Sequence, residues 1–244
     1  MERLIDNSIV LLTGCINPNG MSQTLLQDPK SRHNQYVKTL DYYLLKTDKK
    51  ILFIENSNID LSSEFEGYIK AGRIEILTFD GNSYDKKLGK GYGEMLIIEY
   101  AVNNSKFFNE SDFIIKITGR LQILNIRSIL KQFDNVSPKS IIVNLQKTLT
   151  YADSRCWAGS KSFFINYLLK YKNIVNDSDN IHFENALTKA VHLAIIHDYK
   201  FSFLNTLPRY SGISGTKNEK YNNSLMYWLP LYIKHVIRLN VTKK

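Results

Sequence analysis

The chain has 244 residues, 43% of them hydrophobic and 12% aromatic. No long polar or low-complexity tract interrupts them, which excludes a largely disordered protein and suits one globular domain. Lys and Arg number 32 against 23 Asp and Glu, a formal charge of +9 that favours an anionic partner. Nucleic acid, an anionic membrane face and a nucleoside diphosphate all qualify. No helix-turn-helix, zinc finger or aromatic RNP strand is visible, so no nucleic-acid partner is expected. Cys15 and Cys156 lack metal-type spacing and read as buried thiols in a reducing compartment. The opening MERLIDNSIVLLTG is no secretory signal, and no segment reaches the roughly 20 apolar residues of a membrane span. A cytoplasmic protein is the expectation.

Along the chain, short apolar runs alternate with helical patterns. SIVLLTG from residue 8, KILFIEN from 50, IEILTF from 74, FIIKITG from 113 and SIIVNL from 140 are polar only at their ends. That is the pattern of strands covered on both faces in a parallel sheet. RHNQYVKTLDYYLLK sets Tyr36, Leu40, Tyr43 and Leu44 at helical spacing and predicts the first crossover helix. LSSEFEGYIKAG predicts a short second helix, with Ser63 and Glu66 as a capping box and Gly72 as its stop. YGEMLIIEYAVNNSKFF predicts a third, and further helices are expected near 160–172 and 182–196, before a Gly-, Ser- and Asn-rich loop up to 223.

The alternation predicts a doubly wound α/β sheet, and such sheets bind ligands outside the carboxyl ends of their strands. The residues at those ends are Thr13 and Gly14; Glu55, Asn56 and Ser57; Asp80 and Gly81; and Thr118, Gly119 and Arg120. Small, polar or charged, they suit a ligand carrying hydroxyls and phosphates.

Four features bear on chemistry. GKGYGE places Lys90, Gly91, Gly93 and Glu94 before a helix, where exposed amides can hold a phosphate; a plain flexible turn explains it equally well. Lys116 and Thr118 share a face of their strand opposite Ile115 and Ile117. There Lys116 either meets ligand or pairs with Glu55 or Glu94 in a buried bridge. Glu184, in the first turn after the prospective cap Asp179, is either a helix-dipole acid or a general base for an acceptor hydroxyl. The D-x-D of Asp177 and Asp179 reads more simply as a polar turn than as a cation site, and the histidines show no metal-ligating pair.

In this order, LLTGCINP, RHNQY followed by LDYYL, ILFIENSNIDL, GKGYGE and KITGR resemble small bacterial glycosyltransferases of capsule, O-antigen and lipooligosaccharide gene clusters, over residues 8–127. The resemblance implies a GT-A-like (Rossmann-like) three-layer α/β fold with a mostly parallel central sheet. It implies a single domain over 1–223, divided into a nucleotide-sugar-binding half (1–127) and an acceptor and catalytic half (128–223), followed by a basic amphipathic helix over 224–244. The implied activity is hexosyl transfer from a nucleotide-sugar donor to a surface-polysaccharide or lipid-linked oligosaccharide acceptor.

Under this resemblance the TGC turn and ENSN form the nucleotide edge, and KITGR stands where such enzymes carry a metal-binding D-x-D. Lys116 and Arg120 would then stabilise the departing diphosphate, with no cofactor beyond the donor itself and a divalent metal not favoured. Glu184 matches an inverting enzyme's base, with Asp153 in reserve. Arg209, in a loop over 207–221 that resembles a donor-covering flap, would add a phosphate contact; a loop of no chemical role is the alternative.

The tail carries Met226, Trp228, Leu229, Tyr232 and Ile233 with Lys234, Arg238, Lys243 and Lys244 and no acid. It fits either a core-packing helix or an interfacial helix on an anionic membrane, which would place the enzyme peripherally on the inner face of the cytoplasmic membrane.

Overall fold

The computed structural model describes residues 7–22, 24–134, 136–214 and 218–242. The residues before 7, Gly215, Thr216 and Lys217 of the expected flap, and Lys243 and Lys244 of the tail lie outside the described residues.

Seven strands, labelled in chain order, form the central sheet: β1 Ser8–Gly14, β2 Lys50–Glu55, β3 Ile74–Thr78, β4 Phe113–Thr118, β5 Ser140–Ile142, β6 Cys156–Ser160 and β7 Lys200–Ser202. Their spatial order is β7-β5-β6-β4-β1-β2-β3. All pairings are parallel except those of β6, which runs antiparallel between β4 and β5. All five apolar runs expected as strands are in the sheet. The two additions, CWAGS and KFS, are short or rich in small residues, so neither carries the apolar signal of a strand.

Four longer helices are α1 Pro29–Lys46, α2 Gly89–Asn104, α3 Phe183–Ile196 and α4 Leu225–Thr242. Tyr36, Leu40 and Tyr43 of α1 pack on Val10, Phe53 and Ile115 on one face of the sheet. On the other, Met95 and Ile98 of α2, Ala190 of α3 and Phe164 of the helical segment 161–174 cover Leu11 and Ile114. The three layers follow directly, and the alternation of β4 puts Lys116 on the α2 and α3 side.

Several boundaries differ from expectation. Asp28 caps α1, its carboxylate accepting from the Ser31 amide at 2.8 Å, so the helix starts three residues before the expected pattern. The Ser63–Glu66 capping box does not form: Ser62–Phe65 is a 3-10 turn leading into a short α-turn, Glu66–Lys70. Gly72, at φ +65°, does stop it. The cap of α3 is His182, whose amide donates to Asn185 Oδ1 at 2.9 Å, and not Asp179.

The chain builds outward from β1 to β2 and β3, then returns to lay β4 on the opposite side of β1. The crevice at this switch point, beyond the carboxyl ends of β1 and β4, is where an open α/β sheet takes a ligand. Gly119 lets the two strand exits converge: its amide donates to Thr13 O at 3.1 Å, and a Cβ there would lie 2.4 Å from that oxygen. Gly119→Ala is therefore expected to cost about 1–3 kcal/mol of unfolding free energy. Gly67→Ala, in an exposed helical turn with open space around it, should stabilise by about 0.4–1 kcal/mol; urea unfolding of both variants measures the contrast.

Candidate active site

A cleft of about 480 Å³ opens at the switch point, within the roughly 300–1,000 Å³ typical of small-molecule sites. Its walls come from the exits of β1, β2 and β4, from the N-terminal turns of α1, α2 and α3, from the loop around 151–155, and from Ile213, Ser214 and Tyr221. Ten of the sequence-predicted residues line it: Thr13, Gly14, Asn56, Lys90, Gly91 and Gly93, together with Glu94, Thr118, Arg120 and Glu184. Glu55, Ser57, Lys116, Gly119 and Arg209 do not.

Lys116 is 0% exposed and therefore cannot touch a diphosphate directly. It forms an ion pair with Glu94, donates to the Ser154 carbonyl at 3.0 Å and sits 5.7 Å from the centre of the Phe183 ring. An ammonium out of water needs such partners, because an unpaired buried charge is very costly. The pair joins β4 to α2 and to the loop before β6. Glu94 in turn reaches the cleft and accepts from Thr13 Oγ1 at 3.2 Å.

The cationic wall is built from Arg120 and Arg32. Arg120, 8% exposed, donates to Gln35 Oε1 at 2.9 Å. Burial pulls its pKa below the ordinary guanidinium value, Tyr36 opposes the shift and the charge of Arg32 adds to it. Arg32, 5% exposed, donates from Nε to Cys15 O at 2.8 Å and from Nη1 to Leu26 O at 3.3 Å. Among the described residues neither guanidinium forms an ion pair with a carboxylate. Two desolvated cations with neutral partners are a complement for phosphate oxygens. Sequence reading missed Arg32, although it continues the Tyr36, Leu40 and Tyr43 stripe back by one turn. Cys15 lies beside them with its thiol pushed up to about 11, chiefly by burial, which leaves it a poor nucleophile.

Glu184, in the first turn of α3, forms the opposite wall. Its Oε1 accepts from Ser154 Oγ at 2.7 Å. The Tyr151 phenol also lines the cleft and is pushed up to about 12 by burial first and then by the charges of Glu184 and Asp153. The Ser154 hydroxyl thus holds the carboxylate while leaving it acceptor capacity toward the cleft. Asp153, the reserve base, is engaged at both oxygens by Arg155, at 2.8 and 2.7 Å. Burial opposes the charge of Arg155, but the hydrogen bonds and charge of Asp153 raise its pKa above the ordinary value. Paired in this way and outside the cleft lining, Asp153 is not placed to act as the base.

The remaining expectations resolve by packing. Glu55 is a buried anchor that accepts from the amides of Ile16, Ser57 and Ile59 at 2.7–2.9 Å, fixing the turn after β1. Ser57 closes the same turn by accepting from the Asn17 amide at 2.8 Å. The GKGYGE run does not precede a helix: it is the first turns of α2, and Glu94 stands in its second turn. Its glycines allow close approach, since a Cβ on Gly91 would lie 3.0 Å from the Phe183 amide and one on Gly93 2.4 Å from Tyr84 Oη. Arg209 is turned away, donating to Asn223 O at 2.8 Å, while Ile213, Ser214 and Tyr221 of the same loop do line the cleft. Asp177 faces His182 and Asp179 faces Asn176. Among the described residues, no group of three or more acids, histidines or cysteines is placed to hold a metal ion.

No family model matches the chain, and no curated protein matches its sequence. Solved structures are similar to it. The inositol-1-phosphate CTP transferase from T. maritima is similar with a TM-score of 0.50 at 13% identity, covering 96% of this chain and 98% of that one. A cytidylyltransferase from Leptospira borgpetersenii is similar with a TM-score of 0.42 at 13% identity, covering 81% and 74%. The strand order and layering, with the first of these likenesses, give the Rossmann-like three-layer fold with a mostly parallel sheet.

The buried pair makes an asymmetric prediction. Glu94→Gln leaves a fully buried ammonium unpaired and should cost about 3–5 kcal/mol in urea unfolding. Lys116→Met should cost less, because the surviving Glu94 carboxylate reaches water in the cleft. The reverse order would contradict this account of the pair.

Proposed function

We propose that this protein is a metal-independent, inverting glycosyltransferase that moves a hexose from a nucleotide sugar to a hydroxyl of a surface-polysaccharide or lipid-linked oligosaccharide acceptor. The observation that carries the reading is the separation of charge in one cleft: Arg120 and Arg32 on one wall, Glu184 on the other. The acceptor oxygen bonds to the anomeric carbon as its proton passes to Glu184. The bond from that carbon to the diphosphate oxygen breaks with its electron pair, and the guanidinium groups stabilise the charge left on the phosphate. A single displacement inverts the anomeric configuration.

The exit of β4, where related folds hold carboxylates for a cation, presents Thr118, Gly119 and Arg120. A fixed guanidinium there repels a divalent ion, so no step is assigned to one. Expected results are unchanged turnover in EDTA and a fall of about 10²–10⁴ in rate for Glu184→Gln with donor affinity kept. Arg120→Gln should instead weaken the binding of nucleoside diphosphate. Release of UDP or GDP from candidate donors, guided by a thermal-shift screen over UDP, GDP, CMP and TDP, provides the assay.

Nucleotidyl transfer is the second reading, prompted by the full-length likeness to a CTP transferase. Its nucleophile is a phosphate, which needs no base and would be repelled by Glu184, so the carboxylate favours a hydroxyl acceptor. Formation of pyrophosphate from a nucleoside triphosphate would decide for the second reading, and binding of nucleotide without turnover for a non-catalytic module.

The tail supports a membrane-surface role. Trp228 and His235 of α4 anchor to the carbonyls of Leu207 and Leu204, whereas Met226, Leu229, Ile233 and Ile237 point outward, Met226 at 90% exposure. One face thus packs on the body of the protein as a core-packing helix does, and the outward apolar face supports the interfacial reading. Residues 220–244 carry no acid in a chain of charge +9, which suits an anionic bilayer. No described helix is long and apolar enough to cross a membrane. The full chain should co-sediment with phosphatidylglycerol-rich vesicles, and Met226→Glu with Ile233→Glu should abolish this without altering the fold.

A further inference from the structure

One rim of the cleft continues into a hairpin that the mechanism does not use. Leu145–Gln146 pairs antiparallel with Tyr151–Ala152, and Tyr151 lines the cleft near the Glu184 carboxylate. At the tip Lys147, Thr148 and Leu149 have φ of +46°, +55° and +69° in succession, a left-handed turn that is unfavourable for residues with a Cβ. The tip closes on itself. The Thr150 amide donates to Gln146 O at 3.0 Å, and the hydroxyls of Thr148 and Thr150 donate to Lys147 O at 2.6 Å. Residues 146–150 are all exposed, Leu149 to 42%. A strained turn thus holds an apolar side chain out in water, and burial of that side chain against a surface outside the chain would offset the arrangement.

The hairpin is tied to the tail. Arg238 of α4 donates to the Leu145 carbonyl and stands 4.7 Å from the centre of the Phe203 ring. His235 of the same helix bonds to Leu204 O, and the Leu204 amide donates to Asn144 Oδ1 at 3.1 Å. The hairpin therefore stands beside the helix whose outward face is apolar. Charge agrees with this placement: residues 135–152 hold no acid, as in the tail. Lys147 stands at the tip, its ammonium 4.3 Å from the centre of the Tyr151 ring. An exposed leucine two residues from a lysine, with no acid near in sequence, suits an anionic bilayer. The apolar side chain enters the acyl boundary while the ammonium meets lipid phosphates.

We propose that the tip Lys147–Leu149 is a second membrane contact, which together with the outward face of α4 seats the cleft against an anionic bilayer. Tyr151 is two residues from Leu149, at most about 7 Å along the chain, roughly the thickness of one headgroup layer. The cleft wall near Glu184 then lies at the level where a lipid presents its sugar. The inference rests on the membrane role given to α4 and on the glycosyltransferase reading. It selects between the acceptor classes named there: a lipid-linked oligosaccharide, taken while its lipid stays in the bilayer.

The test uses the full chain. Burial pushes the Cys15 thiol up to about 11, and Cys156 is buried, so a thiol-directed nitroxide reacts at Leu149→Cys. On phosphatidylglycerol-rich vesicles this nitroxide should become accessible to oxygen and shielded from a water-soluble nickel chelate. Leu149→Glu should weaken vesicle partition about tenfold, with nucleoside diphosphate affinity and urea unfolding unchanged. A nitroxide that stays in water, with Leu149→Glu binding vesicles as the native chain does, overturns the proposal and leaves α4 as the membrane contact. A native dimer that Leu149→Glu converts to a monomer, with vesicle partition unchanged, assigns the tip to a second copy of the chain and overturns it too. If the native chain binds no vesicles, this contact and that of α4 fall together, while nucleoside diphosphate binding still supports the transferase reading. If the nitroxide enters the bilayer but no nucleoside diphosphate binds, the membrane contact stands and the transferase reading falls, and with it the acceptor class.

Discussion

The geometry of the cleft depends on one buried ion pair. Lys116 projects from the middle layer toward α2 and α3, where a bare ammonium could not be tolerated. It is satisfied only if Glu94 of α2, the Ser154 carbonyl and the Phe183 ring converge on it. Each of those partners carries a wall of the cleft. α2 brings Glu94 to Thr13, Ser154 turns its hydroxyl to Glu184, and Phe183 adjoins Glu184 in the first turn of α3. A lysine that never meets ligand therefore sets where the ligand-facing groups stand.

Above this pair the charges are kept apart. Among the described residues Arg32 and Arg120 are bound to carbonyls and an amide oxygen and to no carboxylate, so their charge remains available to an anion. Among the described residues Glu184 is bound to the Ser154 hydroxyl and forms no ion pair with a cation, so it remains available to a proton. Arg155 and Asp153 show the opposite case, in which a close pair neutralises itself and becomes scaffold. Low-dielectric walls magnify whatever charge is left uncompensated, so the pairing pattern separates groups that can act on a ligand from groups that support them.

The glycines of GKGYGE follow the same logic. They read as a phosphate-holding loop because glycines before a helix leave amides exposed. In the fold they lie inside α2, and two of them clear space for Phe183 and Tyr84. Both readings predict glycine for the same reason, the absence of a Cβ. Which object approaches the bare Cα, a ligand or another side chain, is a property of the packed molecule.

The sequence by itself determined the layers: five apolar runs with polar ends specify a covered parallel sheet whose strand exits face a ligand, whereas the switch point came from the spatial strand order. It also determined that Lys116 had two admissible fates, because strand alternation fixes the face of a side chain. Tertiary structure decided between those fates, set Arg32 beside Arg120 from a helix 88 residues earlier in the chain, and turned Arg209 and Asp153 away from the cleft. These outcomes depend on which distant groups meet, and local pattern carries information about period and propensity but none about distant neighbours. The charge of a residue is written in the chain; whether that charge is spent on the fold or left for a ligand is settled only by what packs against it.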